Sequence, residues 1–99
     1  TPPPEAGLHR CTDAKGWDQI LRVCRAALAS RDWEDNDAAA LHNAVGAAFF
    51  ATGDAFAAHE AFQSALSLRP DTPVLLENRA LALDALGQHA DAALEMRAA

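Results

Sequence analysis

Residues 41–70 read LHNAVGAAFFATGDAFAAHEAFQSALSLRP, and their bulky and small side chains predict two helices packed across a tight turn. The turn is Gly53-Asp54, where glycine supplies left-handed backbone, and Pro70 ends the second helix. On both sides of the turn the pattern recurs at spacings of three and four, as one face of a helix requires. The residues that carry it are His42, Val45, Gly46, Phe49, Ala58, Phe62 and Ala65.

The same pattern returns about 34 residues further on, with Gly87 in the place of Gly53. A helix-turn-helix unit of this length, with small and bulky residues at these positions, resembles a tetratricopeptide repeat. The resemblance implies an all-α fold of tandem antiparallel helix-turn-helix repeats, a tetratricopeptide-like α-solenoid. Arg79 departs from the family pattern, which usually has leucine there. The matching residues of the second copy are Leu76, Arg79, Ala80, Leu83, Ala92, Met96 and Ala99.

Local start and stop signals predict about six helices, over residues 5–14, 17–30, 38–51, 55–68, 73–86 and from 89 onward. Asn36 or Asp37 is expected to cap the third helix by accepting its free N–H groups. Pro73 suits the first position of the fifth helix, and Gly87 is expected to end that helix.

The predicted helices group into four parts along the chain. Residues 1–4 are a flexible, proline-rich lead-in. Residues 5–36 form a degenerate N-terminal helical hairpin that acts as a capping repeat. Residues 37–72 form a tetratricopeptide-like repeat, and residues 73–99 form a second one that is truncated at its C-terminal end.

Composition narrows the classes of partner. The 99-residue chain has 14 acidic and 8 basic residues and a formal charge of −6. Binding to nucleic acid needs clustered Lys and Arg, so nucleic acid is not an expected partner. No apolar run is long enough to cross a bilayer, so we expect no membrane insertion. We also predict no cofactor and no metal site, because the isolated histidines and the two cysteines lack metal-ligand spacing.

The resemblance implies a concave groove, lined by the first helix of each repeat, that binds an extended or helical peptide. The alternative is that the residues at these positions are ordinary solvated helix residues. Some relatives hold a peptide's C-terminal carboxylate with paired Lys and Arg, and those bases are missing here. The groove residues that the resemblance implies are Asn43, Ala47, Phe50, Glu77, Asn78, Leu81 and Asp84.

The resemblance also bears on the two cysteines, Cys11 and Cys24. If the first hairpin follows the family geometry, both side chains point into the same space between its helices, where they can form a disulfide. The alternative is two buried thiols. A disulfide favours an oxidising compartment, and the hairpin weakly resembles that of envelope-associated bacterial repeat proteins. We therefore predict a periplasmic or secreted location, with the cytoplasm as the alternative.

These patterns predict a non-catalytic protein–protein interaction module, an adaptor or assembly scaffold, whose partner is a protein or peptide segment. The alternative is a structural self-association domain that forms a homo-oligomer through the exposed ends of its helical array. No residue pattern typical of an enzyme's active site accompanies the isolated histidines, and we predict that the chain is not an enzyme.

Overall fold

The computed structural model describes residue 11, residues 15–30 and residues 32–98, with side chains as far as Gly87. Over these residues the fold is all-helical. The predicted lead-in and nearly all of the first predicted helix, residues 5–14, lie outside this part of the chain. The four helices that the structure describes are α1 (Trp17–Ser30), α2 (Asp35–Ala51), α3 (Ala55–Leu68) and α4 (Pro73–Ala98).

Each of these helices packs antiparallel to the next one along the chain. Helix α1 contacts α2, α2 contacts α3, and α3 contacts α4, while α2 and α4 also approach each other directly. Helix α3 therefore lies against both α2 and α4, and its buried side chains contribute to both packing interfaces. This arrangement holds α2 and α4 side by side and parallel.

The turn between α2 and α3 forms where the sequence predicts it. The hydroxyl group of Thr52 donates to the backbone oxygens of Ala48, at 3.0 Å, and Phe49, at 3.1 Å. Gly53 has a φ of +92°, which favours glycine. The Asp54 carboxylate accepts a hydrogen bond of 3.1 Å from the backbone N–H of Ala57 and so caps α3.

At Gly46 the backbone of α2 lies against the ring of Phe62 on α3. A Cβ atom placed there would lie 2.5 Å from a ring carbon of Phe62, so only glycine fits. Ala58 and Phe62 form a buried cluster with Ala82 of α4, and Phe49 packs against that cluster. Gly46, Ala58 and Phe62 of the 41–70 pattern therefore lie in the core, as predicted.

A second cluster joins the N-terminal part of the chain to α2. Cys11 and Cys24 are paired as a disulfide, with their Cα atoms 4.7 Å apart, and both are buried beside Leu41. Trp33, in the connection to α2, packs on this cluster. Its indole N–H donates a hydrogen bond of 2.8 Å to the backbone oxygen of Ala27, near the end of α1.

The predicted cap of α2 is wrong. The helix begins at Asp35, so Asn36 and Asp37 lie inside its first turn, and the capping position is Glu34, whose side chain makes no capping hydrogen bond. The acidic residues of the first turn, Asp35 and Asp37, still stabilise this helix end, because their negative charges lie near its partly positive N–H groups.

The predicted helix end at Gly87 is also wrong, and residues 73–98 form one helix in place of two. Gly87 lacks the positive φ that Gly53 has. The residues that flank it differ as well, because Leu86 and Gln88 stand where the first turn has Thr52 and Asp54. Without the two side chains that hold the first turn, a single glycine costs a helix only about 1 kcal/mol, and the helix continues.

Two glycine-to-alanine substitutions should change stability in opposite directions. Gly46→Ala should lower the free energy of unfolding by about 1 to 3 kcal/mol, because its Cβ would overlap the Phe62 ring. Gly87→Ala should raise it by about 0.5 to 1 kcal/mol, because the site lies in a helix and nothing is within 4 Å of the new Cβ. Urea unfolding followed by circular dichroism measures both. A shift of both variants in the same direction would contradict this packing.

Candidate functional site

The candidate site lies where α2 and α4 run side by side. A side-chain hydrogen bond crosses between them: the amide nitrogen of Asn78 donates to the amide oxygen of Asn43, at 2.8 Å. The two residues are 35 apart in sequence, so their pairing depends on α3, which packs against both helices. The bond leaves the Nδ2 group of Asn43 and the Oδ1 atom of Asn78, a donor and an acceptor, for a ligand.

An apolar cavity of about 230 Å³ opens on the Asn78 side of this bond. Phe62 of α3 contributes to its lining and is almost fully buried. Phe50 of α2 and Leu81 of α4 both line the cavity and are 39% and 55% exposed, so their apolar surface is accessible. The cavity is lined by Trp17, Ala47, Phe50, Ala51, Phe62, Asn78 and Leu81.

A second cavity, of about 300 Å³, opens on the Asn43 side. It is more polar than the first and includes Arg69, the residue that follows α3. The Asn43–Asn78 pair therefore stands between two depressions on the same side of α2 and α4. The second cavity is lined by Asn36, Ala39, Ala40, Asn43, Arg69, Thr72, Val74 and Leu75.

Most of the seven predicted groove residues come together in the structure. Four of them, Ala47, Phe50, Asn78 and Leu81, line the first cavity, and Asn43 is bonded to one of these. The acidic residues Glu77 and Asp84 are exposed on α4 and line neither cavity. They contribute negative charge beside the groove but no wall to it.

Three residues that line the first cavity were not predicted as groove residues: Trp17, Ala51 and Phe62. Trp17 is the one that comes from another part of the chain than the repeats. It is the first residue of α1, is 48% exposed and lines the first cavity. Its place follows from the antiparallel packing of α1 on α2, which brings the start of α1 to the end of α2, near Phe50. Local signals predicted only that Trp17 begins a helix, because spacing within one helix carries no information about the neighbouring helix end.

The structure also places Arg79, which departs from the repeat pattern, and His42, which is one of the residues that carry it. Arg79 replaces the expected leucine and donates a hydrogen bond of 3.1 Å to the side-chain oxygen of Gln63, which links α4 to α3. His42 is half-buried, and burial lowers its pKa below the usual value of 6.5. Neither residue lines either cavity.

In the described part of the chain, no group of three or more His, Cys, Asp or Glu side chains is close enough to hold a metal ion. Among the described residues, no helix combines the length and the apolar character that crossing a bilayer requires. Comparisons with models of protein families, with curated proteins and with solved structures found no significant match to this chain. The site is therefore interpreted from its own geometry.

The burial of His42 predicts a pH dependence of stability. Its pKa is lowered in the folded state, so the unfolded chain binds a proton first as pH falls, and the free energy of unfolding decreases from about pH 7 downward. His42→Gln should remove this contribution, so that the free energy of unfolding changes less with pH between about pH 7.5 and pH 5.5. Urea unfolding at several pH values measures it. A variant that keeps the parent's full slope would show that His42 does not cause it.

Proposed function

We propose that this chain is a non-catalytic protein-interaction module that binds a peptide segment along the groove between α2 and α4. The observation that carries the proposal is the combination of the crossing Asn43–Asn78 pair with the apolar cavity beside it. Grooves of this kind, mostly apolar with a few placed polar groups, are the usual form of ligand sites.

The chemistry of the groove suits a peptide in an extended conformation. The Nδ2 group of Asn43 can donate to a peptide carbonyl, and the Oδ1 atom of Asn78 can accept from a peptide N–H. A neighbouring apolar side chain of the ligand then fills the cavity between Phe50 and Leu81, where Trp17 supplies further contact surface. Aromatic anchors in such pockets commonly contribute most of the binding energy.

Charge around the groove favours neutral or basic ligands. The chain has a net charge of −6, and Glu77 and Asp84 are exposed on the helix that forms one wall. Arg69 adds a single positive charge at the second cavity. One arginine does not make the paired basic site that some tetratricopeptide proteins use for a C-terminal carboxylate, so we propose an internal peptide segment as the ligand.

The proposed module is a short tetratricopeptide-like array. Support comes from burial that repeats along the chain with the predicted period. Leu41 and Leu75 are both buried, and so are Ala48 and Ala82, each pair being one period apart. Leu41 of α2 is in a cluster with Cys24 and Ala27 of α1, and Leu75 of α4 is in a cluster with Ala65 and Leu66 of α3. Corresponding residues of α2 and α4 therefore each face the helix that precedes them in the chain, as in successive repeats of a solenoid.

We also propose that the protein works in an oxidising compartment, the periplasm or the extracellular space. The Cys11–Cys24 disulfide supports this location, because cytosolic thiols are generally kept reduced. The bridge joins residue 11 to α1 and is buried in a cluster with Ala27, Leu41 and Val45. A disulfide that closes a loop of this size contributes about 3 kcal/mol.

Peptide binding is tested with a matched pair of phenylalanine substitutions. A ligand is first selected from a display library and its dissociation constant is measured by fluorescence polarisation. Phe50→Ala should raise the dissociation constant by about tenfold or more, because Phe50 lines the cavity. Phe56→Ala should leave it unchanged, because Phe56 is 63% exposed on α3 and lines neither cavity.

Asn78→Ala should also weaken binding, since it removes the donor of the hydrogen bond to Asn43 and the Oδ1 acceptor offered to the peptide. Added salt should weaken the binding of a basic ligand. Circular dichroism checks that each variant keeps its helical content. A selected ligand that loses affinity with Phe56→Ala, and not with Phe50→Ala or Asn78→Ala, would move the site to α3.

The location is tested by titrating free thiols in the unfolded, unreduced protein. We expect no free thiol, because both cysteines are in the disulfide. Protein reduced before unfolding should lose about 3 kcal/mol of stability, and Cys11→Ser with Cys24→Ser should match the reduced form. Two free thiols in protein isolated from its native compartment would remove the support for export.

A further inference from the structure

Helix α4 carries an apolar stripe that the rest of the described structure leaves open. Leu76, Ala80 and Leu83 follow one another at spacings of four and three, so they lie on one face of the helix. Leu76 is 42% exposed, Leu83 is 48% exposed, and Ala80 is also exposed. We refer to these three residues as the outer stripe.

In α2, the residues one period earlier are covered. They are Gly46, which is buried, and His42 and Phe49, which are half-buried, and α3 packs at Gly46 and Phe49. Gly46 meets the ring of Phe62, and Phe49 packs on the cluster that contains Ala58 and Phe62. The corresponding face of the first unit is therefore the surface on which the next helix sits.

The chain also contains a second segment with the packing pattern of α3. The residues of α3 that are buried between its neighbours include Ala58, Phe62 and Ala65. One period later the sequence has an alanine, a bulky apolar residue and an alanine at the same spacing: Ala92, Met96 and Ala99. Residues 88–99 thus have the sequence pattern of a helix that can pack on the outer stripe, as α3 packs on α2.

The segment cannot reach the outer stripe of its own chain. Helix α4 continues through Gly87 to Ala98 without a break. At a rise of 1.5 Å per residue, the end of the segment lies about 16 Å beyond Gly87 along the helix axis. The segment therefore extends away from the outer stripe of its own chain. A fold back onto the stripe would need a turn at Gly87, and φ is not positive there.

We infer that the outer stripe is covered by residues 88–98 of a second copy of this chain, which receives the same segment in return. The described residues of each chain provide one outer stripe, and residues 88–98 provide one segment with the matching pattern. In a two-fold dimer the segment of each chain covers the stripe of the other, so both stripes are covered and the assembly is closed. A dimer formed in this way leaves the peptide groove open, because Asn78 and Leu81 lie on a different face of α4 from the outer stripe. The inference goes beyond the proposed function and does not depend on it.

The exchange is tested first by the mass of the 99-residue chain in solution, measured by sedimentation equilibrium over a range of concentrations. The parent chain should be a dimer. Leu83→Glu places a carboxylate on the outer stripe and should raise the dimer dissociation constant by about a hundredfold or more. Leu81→Glu is the matched control on the groove face of the same helix, and it should keep the dimer while weakening any selected peptide.

A pair of turn variants separates exchange from other modes of dimerisation. Leu86→Thr combined with Gln88→Asp installs the residues of the first turn, Thr52 and Asp54, around Gly87. The segment can then fold back on its own stripe, so the variant should be a monomer with unchanged helical content. Gly87→Ala favours the continuous helix and should remain a dimer.

Crosslinking identifies which surfaces meet. Chains with Ala80→Cys and chains with Met96→Cys, at the positions one period after Gly46 and Phe62, are mixed and treated with a short thiol-specific crosslinker. If the two copies exchange their segments, crosslinks should form between an Ala80→Cys chain and a Met96→Cys chain. A parent chain that stays monomeric at all concentrations, a dimer that survives Leu83→Glu, or crosslinks only between two Ala80→Cys chains would each overturn the inference.

Discussion

The contact between Gly46 and Phe62 is the constraint on which the described structure depends. With no side chain at Gly46, α2 comes close enough for the Phe62 ring to lie against its backbone. The same ring packs with Ala58 and with Ala82 of α4, and it lines the apolar cavity. One aromatic side chain therefore sets the spacing of α2 and α3, joins α4 to them and contributes to the lining of the groove.

The position of α3 explains how a small helical chain can present a defined groove. Its buried face is made largely of alanine, with Phe62 and Leu66 as the two large residues, so that α2 and α4 can both approach it. Because α2 and α4 pack on the same helix, they run parallel, and Asn43 reaches Asn78. The Asn43–Asn78 pair and the apolar cavity are thus consequences of core packing. The surface on which we propose peptide recognition is held rigid by this core.

The two units of the chain share a pattern but differ at their turns. Thr52 and Asp54 bond to the backbone on either side of Gly53 and reverse the chain. At the second position, Leu86 and Gln88 flank Gly87, and the helix runs on. The outer stripe is exposed because of this difference at two residues. A small change in capping chemistry thereby decides whether an apolar face is covered within the chain or is left for a partner.

The sequence by itself determined the all-helical fold, the bounds of α1 and α3 and the start of α4. Four of the residues that the repeat resemblance implied for a groove, Ala47, Phe50, Asn78 and Leu81, line the first cavity. Capping side chains, prolines and a glycine with positive φ act within one turn of helix, and the period of the pattern places Ala47 and Leu81 at equivalent positions. Only the tertiary structure decided that Trp17 joins the cavity, that Asn43 bonds to Asn78 and that α4 continues past Gly87. These features depend on contacts between residues far apart in the chain, or on a balance of about 1 kcal/mol at a single glycine, and local sequence signals resolve neither.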